Sequence, residues 1–216
     1  MKFTGILVVA VLVLIHGSAQ AAWIIDKSGL NIAPPPSPGS AGDQKDFQIL
    51  FQYQEKRTDD DCRAADLQTV PSLASLFGPQ TGALTEDEIA AVDEFAGEVA
   101  DTVSKAVSPF KKHWVRQRPY DENADISPCI RKPGGQTSYP STHAALGVVL
   151  GDLLAQIFPA KSISLHEAGK RVGENRVLGG VHHPSDVVAG QRLGAQIESA
   201  LMQNPDFTSA LSALKH

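Results

Sequence analysis

An all-α fold, built as one helical bundle, is indicated by three properties of this sequence. From Asp43 onward apolar residues recur at helical spacing, the β-branched alternation that strands need is scarce, and capping residues stand ahead of the apolar runs. With 216 residues, 42% hydrophobic and 20% charged, the chain is long enough for one well-buried core and short for two.

The first segment, residues 1–21, reads as a secretory signal. Lys2 gives a positive start, Gly5 to Ile15 is apolar, and Ala19-Gln20-Ala21 offers small residues for cleavage, so the mature chain is expected to begin near Ala22. The apolar run is about 11 residues, against the roughly 20 a membrane span needs. No second run of that kind follows, and no cysteine near the cleavage site offers a lipid acceptor. The sequence therefore predicts a periplasmic or secreted protein without a membrane span.

Residues 22–42 form the second segment, and the stretch NIAPPPSPGSAG within it carries four prolines without an N–H, which predicts an extended arm. The helical domain occupies 43–216. A first helix is expected near 43–57, with Phe47, Ile49, Leu50 and Tyr53 on one side, and a shorter one near 70–77. Thr85 with Glu88 makes a capping box that opens a long helix through Ile89, Val92, Phe95, Val99 and Val103. Pro109 then permits a fresh helix start carrying Lys111 to Gln117. Residues 119–140 hold Pro119, Pro128, Pro133, Pro140 and Gly134-Gly135 and predict a long loop. Helices resume at 141–158, at 164–178 behind a second capping box (Ser164, Glu167), at 184–202 and near 205–215.

Charge and cysteine content narrow the function classes. The formal net charge is −5; Lys2 lies in the signal, so the mature part carries 18 basic against 24 acidic residues, a net of −6. That acidity argues against a nucleic-acid binder, which needs a basic face. Cys62 and Cys129 could form one disulfide in an oxidising compartment, with two free buried thiols as the alternative.

The residues that carry chemistry fall into three groups. Lys111 and Arg118, seven apart, would lie within about 20° of each other on one helical face; Lys112 and Arg116 extend that basic face, and a solvated surface is the plain alternative reading. Ser141, Thr142 and His143 occupy the first turn of a helix, where unpaired N–H groups favour an anion, although Ser141 also reads as an N-cap. His143 is not where the helix dipole stabilises a cation, so its protonation calls for an acidic neighbour or a bound phosphate. Arg176 and His182 flank the Gly179-Gly180 break ahead of Pro184. The four-residue spacing of His182 and Asp186 lets the carboxylate hold one ring nitrogen and leave the other free to attack. His183 raises a metal pair with Asp186 as an alternative, though adjacent histidines in an extended turn point to different sides.

Taken in order, Lys111-x6-Arg118-Pro119, Pro140-Ser141-Thr142-His143 and Asn175-Arg176-x5-His182-x3-Asp186 resemble the three-part signature of the type 2 phosphatidic acid phosphatase superfamily, and the exported chain is similar to its bacterial class A non-specific acid phosphatases. The likeness extends to the Pro-rich segment (Ala33 to Pro36), the chain length and the helix order. It implies a helical bundle of the acid phosphatase and vanadium haloperoxidase type that hydrolyses small phosphomonoesters. His182 would be the nucleophile, Asp186 its orienting carboxylate and His143 the acid and base. Lys111, Arg118, Ser141, Thr142 and Arg176 would hold the phosphate. The resemblance implies no metal and no cofactor, and suggests a homo-oligomer. The family usually has Gly where this chain has Thr142 and Ser where it has Asn175, differences expected to touch substrate range more than the reaction. A vanadate-dependent haloperoxidase and a non-catalytic phosphate-binding protein are the two other functions such a pocket allows. Residues 120–139 are expected to line the entrance, with Asp121, Glu122, Asp125, Arg131 and Lys132 steering substrates.

Overall fold

The structure, a computed structural model, describes residues 23–215; the expected signal at 1–21 lies outside the described residues. Nine α-helices and no strands are present among them: α1 (Ala41–Lys56), α2 (Asp59–Leu67), α3 (Leu73–Phe77), α4 (Glu86–His113), α5 (Pro119–Glu122), α6 (Thr142–Ile157), α7 (Ser162–Leu178), α8 (Pro184–Leu201) and α9 (Pro205–Ala213). None is long and apolar enough to cross a membrane.

α6 is the hub. Its sequence is largely apolar, as a helix packed on most of its sides must be, and it packs chiefly against α7 and α8, then against α4. Leu146, Val149, Leu150, Leu153 and Leu154 join Val99 and Val103 of α4, Val172 of α7 and Leu193 and Ile197 of α8 in one core. Glycines let the three backbones close up. A Cβ on Gly147 would stand 2.3 Å from the Gly169 carbonyl oxygen, and one on Gly190 would stand 2.3 Å from that of Ser141. The second contact seats the start of α6 directly against α8.

Local chemistry explains most helix ends. Thr85 and Glu88 form the expected capping box, with Thr85 N–H donating to Glu88 at 2.8 Å and Glu88 N–H to Thr85 at 3.3 Å. α4 then differs from expectation by running through Pro109 to His113. Proline at that position leaves the Lys105 carbonyl without its helical donor, and the Lys27 ammonium from the N-terminal arm supplies one at 3.2 Å. α2 was not expected, although Thr58 and Asp61 make a capping box at its start. α7 begins earlier than the Ser164–Glu167 pair indicated. A 3-10 turn at Pro159–Lys161 leads straight into helix at Ser162, so Ser164 sits inside the first turn and donates to the Lys161 carbonyl.

The segment 23–40 is extended apart from turns, and it lies on the body. Trp23 meets Phe207 edge to face at 5.4 Å, and Asn31 exchanges two 2.8 Å hydrogen bonds with Gln196. Cys62 and Cys129 are disulfide-bonded, which ties α2 to the loop before α6.

Candidate active site

The starts of α6 and α8 meet at the centre of the site, where Ser141 N–H donates to the Asp186 carbonyl at 3.0 Å. Gly180, in the left-handed region at φ 76°, turns the chain after α7 and delivers His182 and His183 ahead of Pro184. His182 and Asp186 are both buried. His182 Nδ1 lies 3.2 Å from Asp186 Oδ2, and His182 Nε2 lies 3.3 Å from an Arg118 guanidinium nitrogen. Because arginine only donates, Nε2 must be the acceptor and Nδ1 the protonated nitrogen. The ring is thereby set with its free lone pair toward the cations.

Lys111 and Arg118 reach this ring from different elements, which corrects the one-face expectation. α4 ends at His113, and Arg118 precedes α5 as its N-terminal flanking residue. The two side chains converge through the loop instead. Lys111 Nζ donates to the carbonyls of Thr137 and Ser138 at 3.2 Å, and Arg118 donates to those of Gly135, Val181 and Thr137. Ser141 caps α6, its hydroxyl accepting from Ala144 N–H at 3.3 Å, and the helix geometry leaves the Thr142 and His143 N–H groups unpaired. Arg176, buried in α7, donates to the Ala65 carbonyl of α2 while its Nε has no partner. His143 Nε2 is likewise buried without a partner. Unpaired buried nitrogens and free helix-start amides are groups that an anion can satisfy.

Electrostatics agree with that geometry. Burial pushes His182 down to about 3, Asp186 only partly opposing it. Burial and the nearby Arg176 push His143 down to about 4, against the backbone of Thr69 and Gln68. Lys111 falls to about 8 through burial and the charge of Arg118, and Arg176 to about 10 through burial. Both histidines are thus neutral near pH 6.

A family model described as the PAP2 superfamily matches residues 97–207, over half of the chain and every one of these eight residues. The chain belongs to the PAP2 superfamily. It is 28% identical to the non-specific acid phosphatase of Salmonella typhimurium over 201 residues, covering 85% of this chain and 77% of that one. It is also 27% identical to the acid phosphatase of Zymomonas mobilis over 190 residues (82% and 70%) and 27% identical to the non-specific acid phosphatase of Providencia stuartii over 195 residues (85% and 77%).

This PAP2 chain supports its site with residues that sequence reasoning missed. Arg116, expected on a solvated face, is buried and bridges three carboxylates, Asp43 at 3.1 Å, Asp46 at 3.0 Å and Asp186 at 2.9 Å. Burial opposes its charge, yet Asp186 and Asp46 raise its pKa. Ser138 donates to Asp186 Oδ2, which also accepts from His183 N–H at 2.9 Å. Burial would favour the neutral acid, but His182 and His183 hold Asp186 well below the usual carboxylate range. No periodicity marks Arg116 or Ser138, because both lie in irregular chain and work through contacts some 45 to 70 positions away in sequence. Asn175 donates to Gln68 at 2.8 Å and so steadies the α2 exit that lies beside His143.

The loop 120–139 supplies a cleft of about 490 Å³ lined by Tyr120, Asp121, Lys132 and Gly135. Lys132 Nζ sits 4.5 Å over the Tyr120 ring. Of the other expected steering residues, Arg131 pairs with Asp66 at 3.7 Å and Glu122 lies beside His183.

Proposed function

We propose that this protein is an exported acid phosphatase that hydrolyses small phosphomonoesters through a phosphohistidine at His182, without a metal in the reacting centre. The single observation that carries the reading is the polarised His182, with Asp186 on Nδ1 and an arginine on Nε2. The acid phosphatases similar to this chain support the substrate class.

An incoming ester draws Arg118 from Nε2 onto its oxygens, joined by Lys111, the free Nε of Arg176 and the amides of Thr142 and His143. Neutralising those oxygens is most of the work of phosphoryl transfer. The freed Nε2 pair attacks phosphorus, Asp186 stabilises the imidazolium, and the bond to the leaving oxygen breaks as His143 protonates it. A monoester has a second pKa near about 6, so below that it arrives as the monoanion and brings the proton His143 lacks. Water then attacks the phosphohistidine with His143 as base, releasing phosphate and restoring His182. Export is supported by the apolar run at 5–15 and by the Cys62–Cys129 bond, since disulfides persist in oxidising compartments.

Rapid quenching with a chromogenic phosphomonoester tests the mechanism. Wild type should yield an acid-labile, base-stable phosphoenzyme, His182→Ala neither label nor turnover, and His143→Ala label with hydrolysis slowed by about 10²- to 10⁴-fold. Full activity in His182→Ala would overturn it. Cell fractionation with mass spectrometry of the mature N-terminus checks export, cleavage near Ala22 being expected.

A further inference from the structure

The imidazole of His183 is fully buried, yet only one of its edges is used by the site described above. Its Nδ1 faces Asp186 Oδ2 at 3.4 Å, while Nε2 has no hydrogen-bond partner. Two carboxylates from separate elements stand near the ring, Glu122 of α5 and Asp43 of α1. One ligand atom from each of the three residues lies within 4.8 Å of the others, and Nε2 stands 3.4 Å from Glu122 Oε2. Phe47 packs edge to face on the ring at 5.4 Å and fixes its direction.

We infer that Asp43, Glu122 and His183 form a zinc site, separate from the reacting centre. Three observations support it. Donors around a tetrahedral zinc with bonds of about 2.0–2.1 Å are about 3.3–3.5 Å apart, which the His183–Glu122 separation already matches. Charge favours it too: Asp186 and Glu122 each lie 3.4 Å from a nitrogen of His183, and Asp43, held by Arg116, completes the acidic group around it. Buried charge needs compensation, and a divalent cation at Nε2 would supply it in place of a proton there. Access exists as well. Asp43 and Glu122 line a cleft of about 680 Å³ under the Pro34–Pro38 stretch of the arm, with His183 buried behind Phe47.

One imidazole and two carboxylates suit zinc better than magnesium, which takes six oxygen ligands. Zinc on Nε2 would leave Nδ1 as the N–H that meets Asp186, the arrangement by which a metal-bound histidine is usually held. The ion would therefore join the arm-bearing start of α1, α5 and the carboxylate that orients His182, without touching the phosphate.

Equilibrium dialysis of the full chain against Zn²⁺ after chelator treatment, paired with thermal melting, tests this. Wild type should bind one Zn²⁺ per chain and melt higher with it, while Mg²⁺ gives neither effect. Glu122→Gln, at the cleft wall on a short helix, should fold normally and lose at least about 10-fold in zinc affinity, as should His183→Gln. The inference fails if wild type shows no saturable binding up to about 1 mM zinc, or if Glu122→Gln binds like wild type. It also fails if binding persists in Glu122→Gln and disappears in His166→Gln, which would place the ion at the exposed His166–Asp152 pair.

Discussion

Lys111 shows how one side chain can set a pH limb. Its ammonium is held among backbone carbonyls beside a guanidinium, so burial and Arg118 bring it down to about 8. Below that pH it is charged and attracts phosphate, and above it the charge is lost. Inhibition by inorganic phosphate should therefore weaken about tenfold per pH unit above pH 8. In Lys111→Arg the limb should move upward, because arginine stays charged; an unmoved limb in that variant would assign it to another group. Lys111, His143, Arg176 and His182 were legible in the sequence because their spacing belongs to a signature that chemistry imposes. Arg116 and Ser138 were not, since a residue recruited by folding to brace Asp186 leaves no local pattern. Arg118 lies between these cases: its identity was readable, but the helix assigned to it was not, because Lys27 satisfies the carbonyl that Pro109 frees.

Helix crossings transmit small volume changes into that cluster. α6 approaches α7 and α8 through glycines with no space for a methyl, a property that apolar periodicity alone does not reveal. Gly190 is the most informative of these, since its added Cβ would meet the Ser141 carbonyl 2.3 Å away, in a backbone that cannot rotate aside as a side chain can. Gly190→Ala should cost about 1–3 kcal/mol through overpacking and shift the Ser141 cap and the neighbouring free amides. Thermal melts and the inhibition constant for phosphate should worsen together. Unchanged phosphate affinity at lowered stability would show that α6 relaxes elsewhere. The helices themselves were legible from spacing and capping residues; α2 escaped notice because its nine residues are mostly polar, leaving only the Thr58–Asp61 box as a signal.

Across the whole molecule, the long-range tie and the buried histidines decide where stability is lost. The Cys62–Cys129 bond spans 67 positions, and a loop of that length corresponds to about 4 kcal/mol on a chain-entropy basis. It anchors α2, whose Ala65 carbonyl holds Arg176, so reduction should lower the denaturation midpoint and raise KM, as measured by urea melts and kinetics with and without reductant. Acid has a different effect. His143 and His182 have folded pKa values of about 4 and about 3, below the unfolded value near about 6.5. As pH falls from 6.5 toward 4, the unfolded chain binds protons that the folded chain refuses, so stability drops, by up to about 1.4 kcal/mol per pH unit for each histidine. His183 has the opposite sign: burial opposes its charge, but Asp186 and Glu122 raise its pKa. Its contribution is complete below about 6.5 and is lost as pH rises through the folded value. Asp186, held well below the usual carboxylate range, contributes stability that is complete above about 3.9 and is lost as pH falls from there through the folded value. Between pH 6.5 and 4 the two buried histidines should therefore make stability decline as pH falls. His143→Gln should remove about half of that acid slope in melts between pH 6.5 and 4, while an unchanged slope would mean that His143 is protonated in the folded, ligand-free chain.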